Sequence, residues 1–382
     1  MTIPEEFNDI RPYTPEELPA VYQELIADEE FKAVMAKVMP DVPFEMLAKQ
    51  LLQCKTNLEF QKALVYPLLK SLVAKCGKGM EMNADSLTDR DKHHTFISNH
   101  RDIVLDSALL SVLLVDNGFD TTVEIAIGDN LLIRPWIKKI VRINKSFIVQ
   151  RALTMRQMLQ ASATMSRYMH FAINHKNENI WMAQREGRAK DSNDLTQDSI
   201  LKMLAMGGEG DIIDRLKDMN IVPLSISYEF DPCDYLKAKE FQQKRDNPDF
   251  KKSQQDDLDN MSIGIYGFKG HIHYHTAPCI NEWLDTIDRS TPKTEIFGMI
   301  AKHIDKGIHS NYMLYPCNYI AMDELTGSDS SDKYTAEDKA FFEKYLAGQI
   351  AKIDLPNKDE AFLRERILTM YANPAINKAK AL

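Results

Sequence analysis

The chain has 382 residues, of which 44% are hydrophobic and 27% charged, and it carries a net charge of −9. Those values fit a globular protein with a sizeable core, in one large domain or two smaller ones, and exclude wholesale disorder. The acidic balance speaks against a general nucleic-acid binder, which carries a basic excess.

Residues 14–75 read as helices, because apolar residues recur at helical spacing in PAVYQELIADEEFKAVMAKVM and FEMLAKQLLQC. Thr14 is expected as an N-cap with Pro15 in the first turn. The polar, turn-rich run GKGMEMNADSLTDRDK then marks a boundary. From His94 onward short β-rich runs alternate with helical ones. Strands are expected at 95–98, 122–127, 146–150, 179–183 and 221–229, and helices at 106–116, 155–174, 199–206 and 211–219. The charged segment 235–260 reads as a solvated helix or loop, GHIHYHTA as a further strand, and the last fifty residues as mainly helical and polar. This alternation predicts an α/β fold with a mixed, largely parallel sheet flanked by helices. The expected division is a helical N-terminal region over 1–80, an α/β domain over 81–300 and a mainly helical extension over 301–382.

The five cysteines are scattered and form no C-x-x-C pair, which fits reduced thiols in a cytoplasm. The opening MTIPEEFNDIRPYTPEE is polar and acidic, so no secretory signal is expected. No apolar stretch is long enough to span a bilayer, so work on lipids would take place at a membrane surface.

Four segments carry chemistry. In FISNHRDIVLDSALL a strand-like run ends at Ser98 and a helical pattern begins near Asp102, which places His100 at the carboxyl edge of a sheet. Asp106 lies about one turn inside the helix, where a carboxylate can hold one ring nitrogen and leave the other as a base. Asp102 reads either as a helix cap or as an alternative partner of the ring. In NIWMAQREGRAKDSND a second strand-like run ends in the turn Glu186-Gly187-Arg188, with Arg185 beside it. Glycine permits close backbone approach there, and the arginines suit a phosphate. The third segment, LLIRPWIKKIVRINKSFIVQR, sets Arg134, Lys138, Lys139, Arg142, Lys145 and Arg151 among apolar and aromatic residues. It reads as a surface for anionic headgroups, coenzyme A phosphates or an acidic carrier, or as an ordinary solvated basic face. The fourth is the Val222-Pro223 pair near the start of a strand. His271, His273 and His275 share one strand face, but three imidazoles at this spacing splay too far to hold an ion unaided, so no metal is expected.

Together these segments resemble the glycerophospholipid acyltransferase superfamily, which includes the glycerol-3-phosphate and 1-acylglycerol-3-phosphate acyltransferases. Its first block, His-x4-Asp, is similar to Asn99-His100-Arg101-Asp102-Ile103-Val104-Leu105-Asp106, with five intervening residues here instead of four. Its second ends in an apolar run and arginine, as FIVQR does at Arg151. Its third centres on Glu-Gly-x-Arg, and Glu186-Gly187-Arg188 matches with arginine one place earlier. Its fourth contains Val-Pro. The resemblance covers residues 95–229 and implies an acyltransferase-type α/β fold. It implies His100 as general base and Asp106 as its partner, with Arg101, Arg151, Glu186, Gly187 and Arg188 binding substrate. It further implies an acyl-CoA or acyl-carrier-protein donor, a glycerol-phosphate or lysophospholipid acceptor, and a place in phospholipid biosynthesis, peripheral to the cytoplasmic face of the membrane. No cofactor, metal or nucleic acid is implied. Two other readings stay open: N-acylation in aminolipid synthesis, and a membrane- or carrier-binding module whose site has decayed.

Overall fold

In a computed structural model of the chain, which describes residues 2–129, 132, 134–150 and 154–382, seven strands form one sheet. They are β1 (Gly79–Asn83), β2 (Thr95–Ser98), β3 (Val123–Gly128), β4 (Ser146–Val149), β5 (Asn179–Ala183), β6 (Ile221–Tyr228) and β7 (His271–Thr276). Their order across the sheet is β1-β7-β6-β2-β5-β3-β4. Every pairing is parallel except β6 with β7. So β2 to β6 run one way, while β7 and β1 run the other. The expected mixed, largely parallel sheet is present, and the carboxyl ends of β2, β5, β3, β4 and β6 share one edge.

The central strands are buried on both faces, as four consecutive buried residues in β2 and eight in β6 show. Helices cover both faces, which is why these strands read as continuous apolar runs. One face packs Phe96, Val222, Leu224, Ile226, Ile272 and Tyr274 against the helix Leu105–Asp116. The other packs Ile97, Ile180 and Ile221 against the helices Met155–Asn174 and Lys293–Ser310. Each fully buried Leu or Ile contributes roughly 1.5–3 kcal/mol. Pro223 sits in the central strand β6, where a missing N–H is normally costly. The β6–β7 pairing starts only at Leu224, and Pro223 contributes its carbonyl to Ala277 N at 2.8 Å.

Three expectations change. β1 lies inside the run read as a boundary, so the sheet begins within the last residues assigned to the helical N-terminal region. The segment 235–260 forms two helices, Asp234–Asp246 and Gln254–Tyr266, and the first buries Lys237 and Glu240. Thr14 caps no helix: its carbonyl closes a turn onto Glu17 and Leu18, and the helix runs Leu18–Ala27 with Pro19 in its first turn. Among the described residues no helix is long and apolar enough to cross a membrane.

Candidate active site

The strand β2 stops because Asn99 replaces its main chain. The buried Asn99 side chain donates to Ile226 O and accepts from Ile226 N, both at 2.8 Å. The ladder to β6 is thus extended by a side chain while the backbone turns away, and His100 leaves the sheet at its carboxyl edge. Its ring stands edge-on to Trp181, with centroids 5.6 Å apart, and Trp181 is fixed by its own bond to Ser98 Oγ at 3.0 Å.

His100 Nδ1 meets Asp106 Oδ2 at 2.7 Å. The same oxygen accepts the backbone N–H groups of Arg101 at 2.6 Å and Asp102 at 3.1 Å. With two N–H groups already aimed at it, Oδ2 is an acceptor for the ring as well. Nδ1 therefore carries the proton, and in the neutral ring Nε2 presents a lone pair. Among the described residues Nε2 has no partner, and the side chain keeps 13% of its exposure. Asp106 is fully buried, and Tyr274 Oη donates to its carbonyl at 2.9 Å. The arrangement is a buried carboxylate, an oriented imidazole and an unused ring nitrogen at the surface.

The extra residue between His100 and Asp106 would rotate a helical position by about 100°. The chain absorbs it before the helix begins. Residues 101–104 form a turn, and Leu105 opens the helix one place before Asp106. Asp102 builds that turn: its Oδ1 accepts from Val104 N at 2.9 Å and Leu105 N at 2.8 Å. It shapes the turn, and of the two carboxylates Asp106 is the one bonded to the ring. Burial and the neighbouring Asp106 raise the Asp102 carboxyl above the ordinary carboxylate range. The helix Gln254–Tyr266 closes over it at Gly264, where a Cβ would stand 2.2 Å from Asp102 Oδ2.

The next strand across, β5, delivers the second turn. Gln184 N donates to Ser98 O at 2.8 Å, so this turn starts beside the end of β2. Gly187 has φ +69°, a backbone region that L side chains rarely adopt. Glu186 N is held by Gln197 Oε1 at 2.8 Å. Arg188 is half-buried; its Nη2 donates to Asn260 Oδ1 at 3.0 Å, while Nη1 is buried with no partner among the described residues. Arg185, also half-buried, has none among the described residues.

Other expected residues fall differently. Arg101 is turned inward, 7% exposed, and its guanidinium grips Asp194, with Nη2 2.7 Å from Oδ2 and Nη1 3.2 Å from Oδ1. The charge the resemblance assigns to the acceptor is matched inside the protein. Arg151 lies outside the described residues. The basic segment around the helix Pro135–Ile143 is mostly spent internally. Trp136, Ile140 and Ile143 pack on the N-terminal helices. Arg142 donates to the carbonyls of Arg11 at 2.8 Å and Asn8 at 3.0 Å and lies over Tyr13. Lys145 is buried against Glu178, 2.7 Å away. Lys139 pairs with Glu24 and Arg134 with Glu30, leaving Lys138 exposed. Asp194 and Asn260 were not expected, and no local pattern marks them: their partners lie 93 and 72 residues away in sequence.

No family model matches the chain. No curated protein matches it either. Among solved structures it is similar to the 1-acyl-sn-glycerophosphate (LPA) acyltransferase PlsC from Thermotoga maritima, with 10% sequence identity and a TM-score of 0.36, over 76% of this chain and 95% of that one.

Proposed function

We propose that this protein is an acyltransferase that moves a fatty acyl group from a thioester to a hydroxyl of a glycerol-phosphate or lysophospholipid. The observation that carries the reading is the His100–Asp106 pair at the carboxyl edge of a parallel sheet, its Nε2 without a partner among the described residues, beside the turn that carries Arg188. The four-block resemblance, in order over residues 95–229, supports the same reading.

In this mechanism Nε2 takes the proton of the acceptor hydroxyl as its oxygen attacks the thioester carbonyl. A carbon–oxygen bond forms, the carbon–sulfur bond breaks, and the thiolate leaves and receives that proton. Asp106 stabilises the imidazolium between those events. Arg188, Arg185 and Glu186 bind the acceptor through its phosphate and hydroxyls, joined by Arg151 in the family pattern. The donor is acyl-CoA or acyl-carrier protein, no metal or other cofactor takes part, and the enzyme works peripherally on the cytoplasmic face of a membrane. The one-residue insertion, which suggested a decayed site, does not separate His100 from Asp106.

The test is a screen of labelled acyl-CoA and acyl-carrier thioesters against glycerol-3-phosphate, lysophospholipid and amine acceptors, read by product mass. Formation of an O-acyl product that disappears in His100→Ala is expected. An exclusively N-acyl product moves the reading to aminolipid synthesis, and absence of thioester consumption with every acceptor ends it.

A further inference from the structure

Arg101 belongs to two structures at once. Its backbone N–H donates to Asp106 Oδ2, the oxygen that holds His100. Its guanidinium forms the forked pair with Asp194. Asp194 closes the loop that begins at the Glu186–Arg188 turn, six residues after Arg188. This loop is anchored at Asp194 from the far side as well. Tyr312 Oη donates to Asp194 Oδ2 at 2.6 Å, and His309 Nε2 meets the Asp194 carbonyl at 2.6 Å. Asp194 is fully buried, and the Arg101 guanidinium also lies over the Tyr312 ring, 5.7 Å from its centre.

A continuous chain of bonds therefore runs from the imidazole through Asp106, Arg101 and Asp194 to the loop that presents Arg188. A forked arginine–carboxylate pair fixes direction as well as distance, unlike a lysine contact. Burial makes it rigid, because breaking it would strand a charge away from water.

We propose that the Arg101–Asp194 pair is a strut that sets the separation between the base His100 and the acceptor-binding turn 186–188, with Asp194 as a positioning residue. The consequence for turnover rests on the acyltransferase reading; the mechanical link does not. Displacement of a reacting group by about 1 Å can cost 10²-fold in rate, so a slackened strut is visible in kinetics.

The experiment compares Arg101→Lys, Asp194→Asn, the double variant and Tyr312→Phe with the full-length wild type. It reads kcat, KM for each substrate and amide exchange over 186–197. Both single variants are expected to lose about tenfold to a hundredfold in kcat and to raise the acceptor KM, with the thioester KM within twofold. The double variant is expected to be no worse than the weaker single, because one link is already broken. Exchange over 186–197 rises in each. Tyr312→Phe removes one hydrogen bond without unpairing a charge, and gives a smaller loss in the same direction if Asp194→Asn fails to fold. If Arg101→Lys alone raises the acceptor KM while Asp194→Asn and Tyr312→Phe match the wild type, Arg101 binds the acceptor and the strut is refuted. A wild type that consumes no thioester ends the acyltransferase reading only. The strut then stands or falls on whether exchange over 186–197 rises in the variants.

Discussion

The turns at the carboxyl ends of β2 and β5 and the basic helix Pro135–Ile143 look equally chemical as sequence, yet the fold treats them differently. Around the helix nearly every cation meets a carboxylate, a carbonyl or a ring: Arg142 is satisfied by two carbonyls and Tyr13, Lys145 by Glu178 and Thr121. At the turns, His100 Nε2 and Arg188 Nη1 are held in place by their other atoms and have no partner among the described residues. A charged cluster is a structural joint when its valences are filled. It is a site when preorganised valences remain open.

That contrast can be broken by mutation. His100→Ala is expected to lower turnover by about 10³-fold, and Asp106→Asn by about 10²-fold, with His100→Ala keeping a melting temperature near wild type. Steady-state rates with calorimetry would check this, and a residual rate within tenfold would sink the role of the pair. A large effect without chemistry is expected at Asp234. This fully buried carboxyl accepts from Tyr345, Tyr371 and Gln349, yet burial and then Asp231 push it up to about 7. Between about pH 4 and 7 the folded state then holds a proton the unfolded chain has released, so stability falls as pH rises through that window and levels off above it. Denaturant titrations from pH 4 to 8 should show this slope, and Asp234→Asn should flatten it.

Gly264→Ala would press a methyl against the Asp102 carboxyl that shapes the turn and is expected to cost about 1–3 kcal/mol, together with a loss of turnover. An unchanged unfolding midpoint would show that the helix Gln254–Tyr266 gives way there. The smallest effect is expected in the filled cluster. Lys139→Gln breaks a partly exposed pair with Glu24 and should cost less than about 1 kcal/mol and leave kcat unchanged. A selective loss of activity on vesicles in that variant would return this helix to the class of open sites.

The sequence exposes what depends on local pattern. Strands buried on both faces, such as β2 and β5, read correctly because unbroken apolar runs have few other uses. β1 escapes because it is a half-exposed edge strand of five residues, GMEMN, whose pairing with β7 no local signal encodes. His100 and Arg188 are legible as residues following apolar runs. The pairing with Asp106 is legible in kind but not in spacing, since a turn of irregular backbone precedes the helix. Arg101 misleads because a surface-looking His-Arg pair hides an inward side chain, and only the fold brings Asp194 to it.

The edge strand has a further consequence in time. β1 pairs with β7 from Gly79 against His271, about 190 residues later. At ~5–20 residues per second of synthesis, β1 waits roughly 10–40 s on the ribosome before its partner exists. The helix Tyr66–Cys76, which packs on β1, must screen it through that interval, and an arrested chain ending before His271 would leave it as a sticky, unclosed margin.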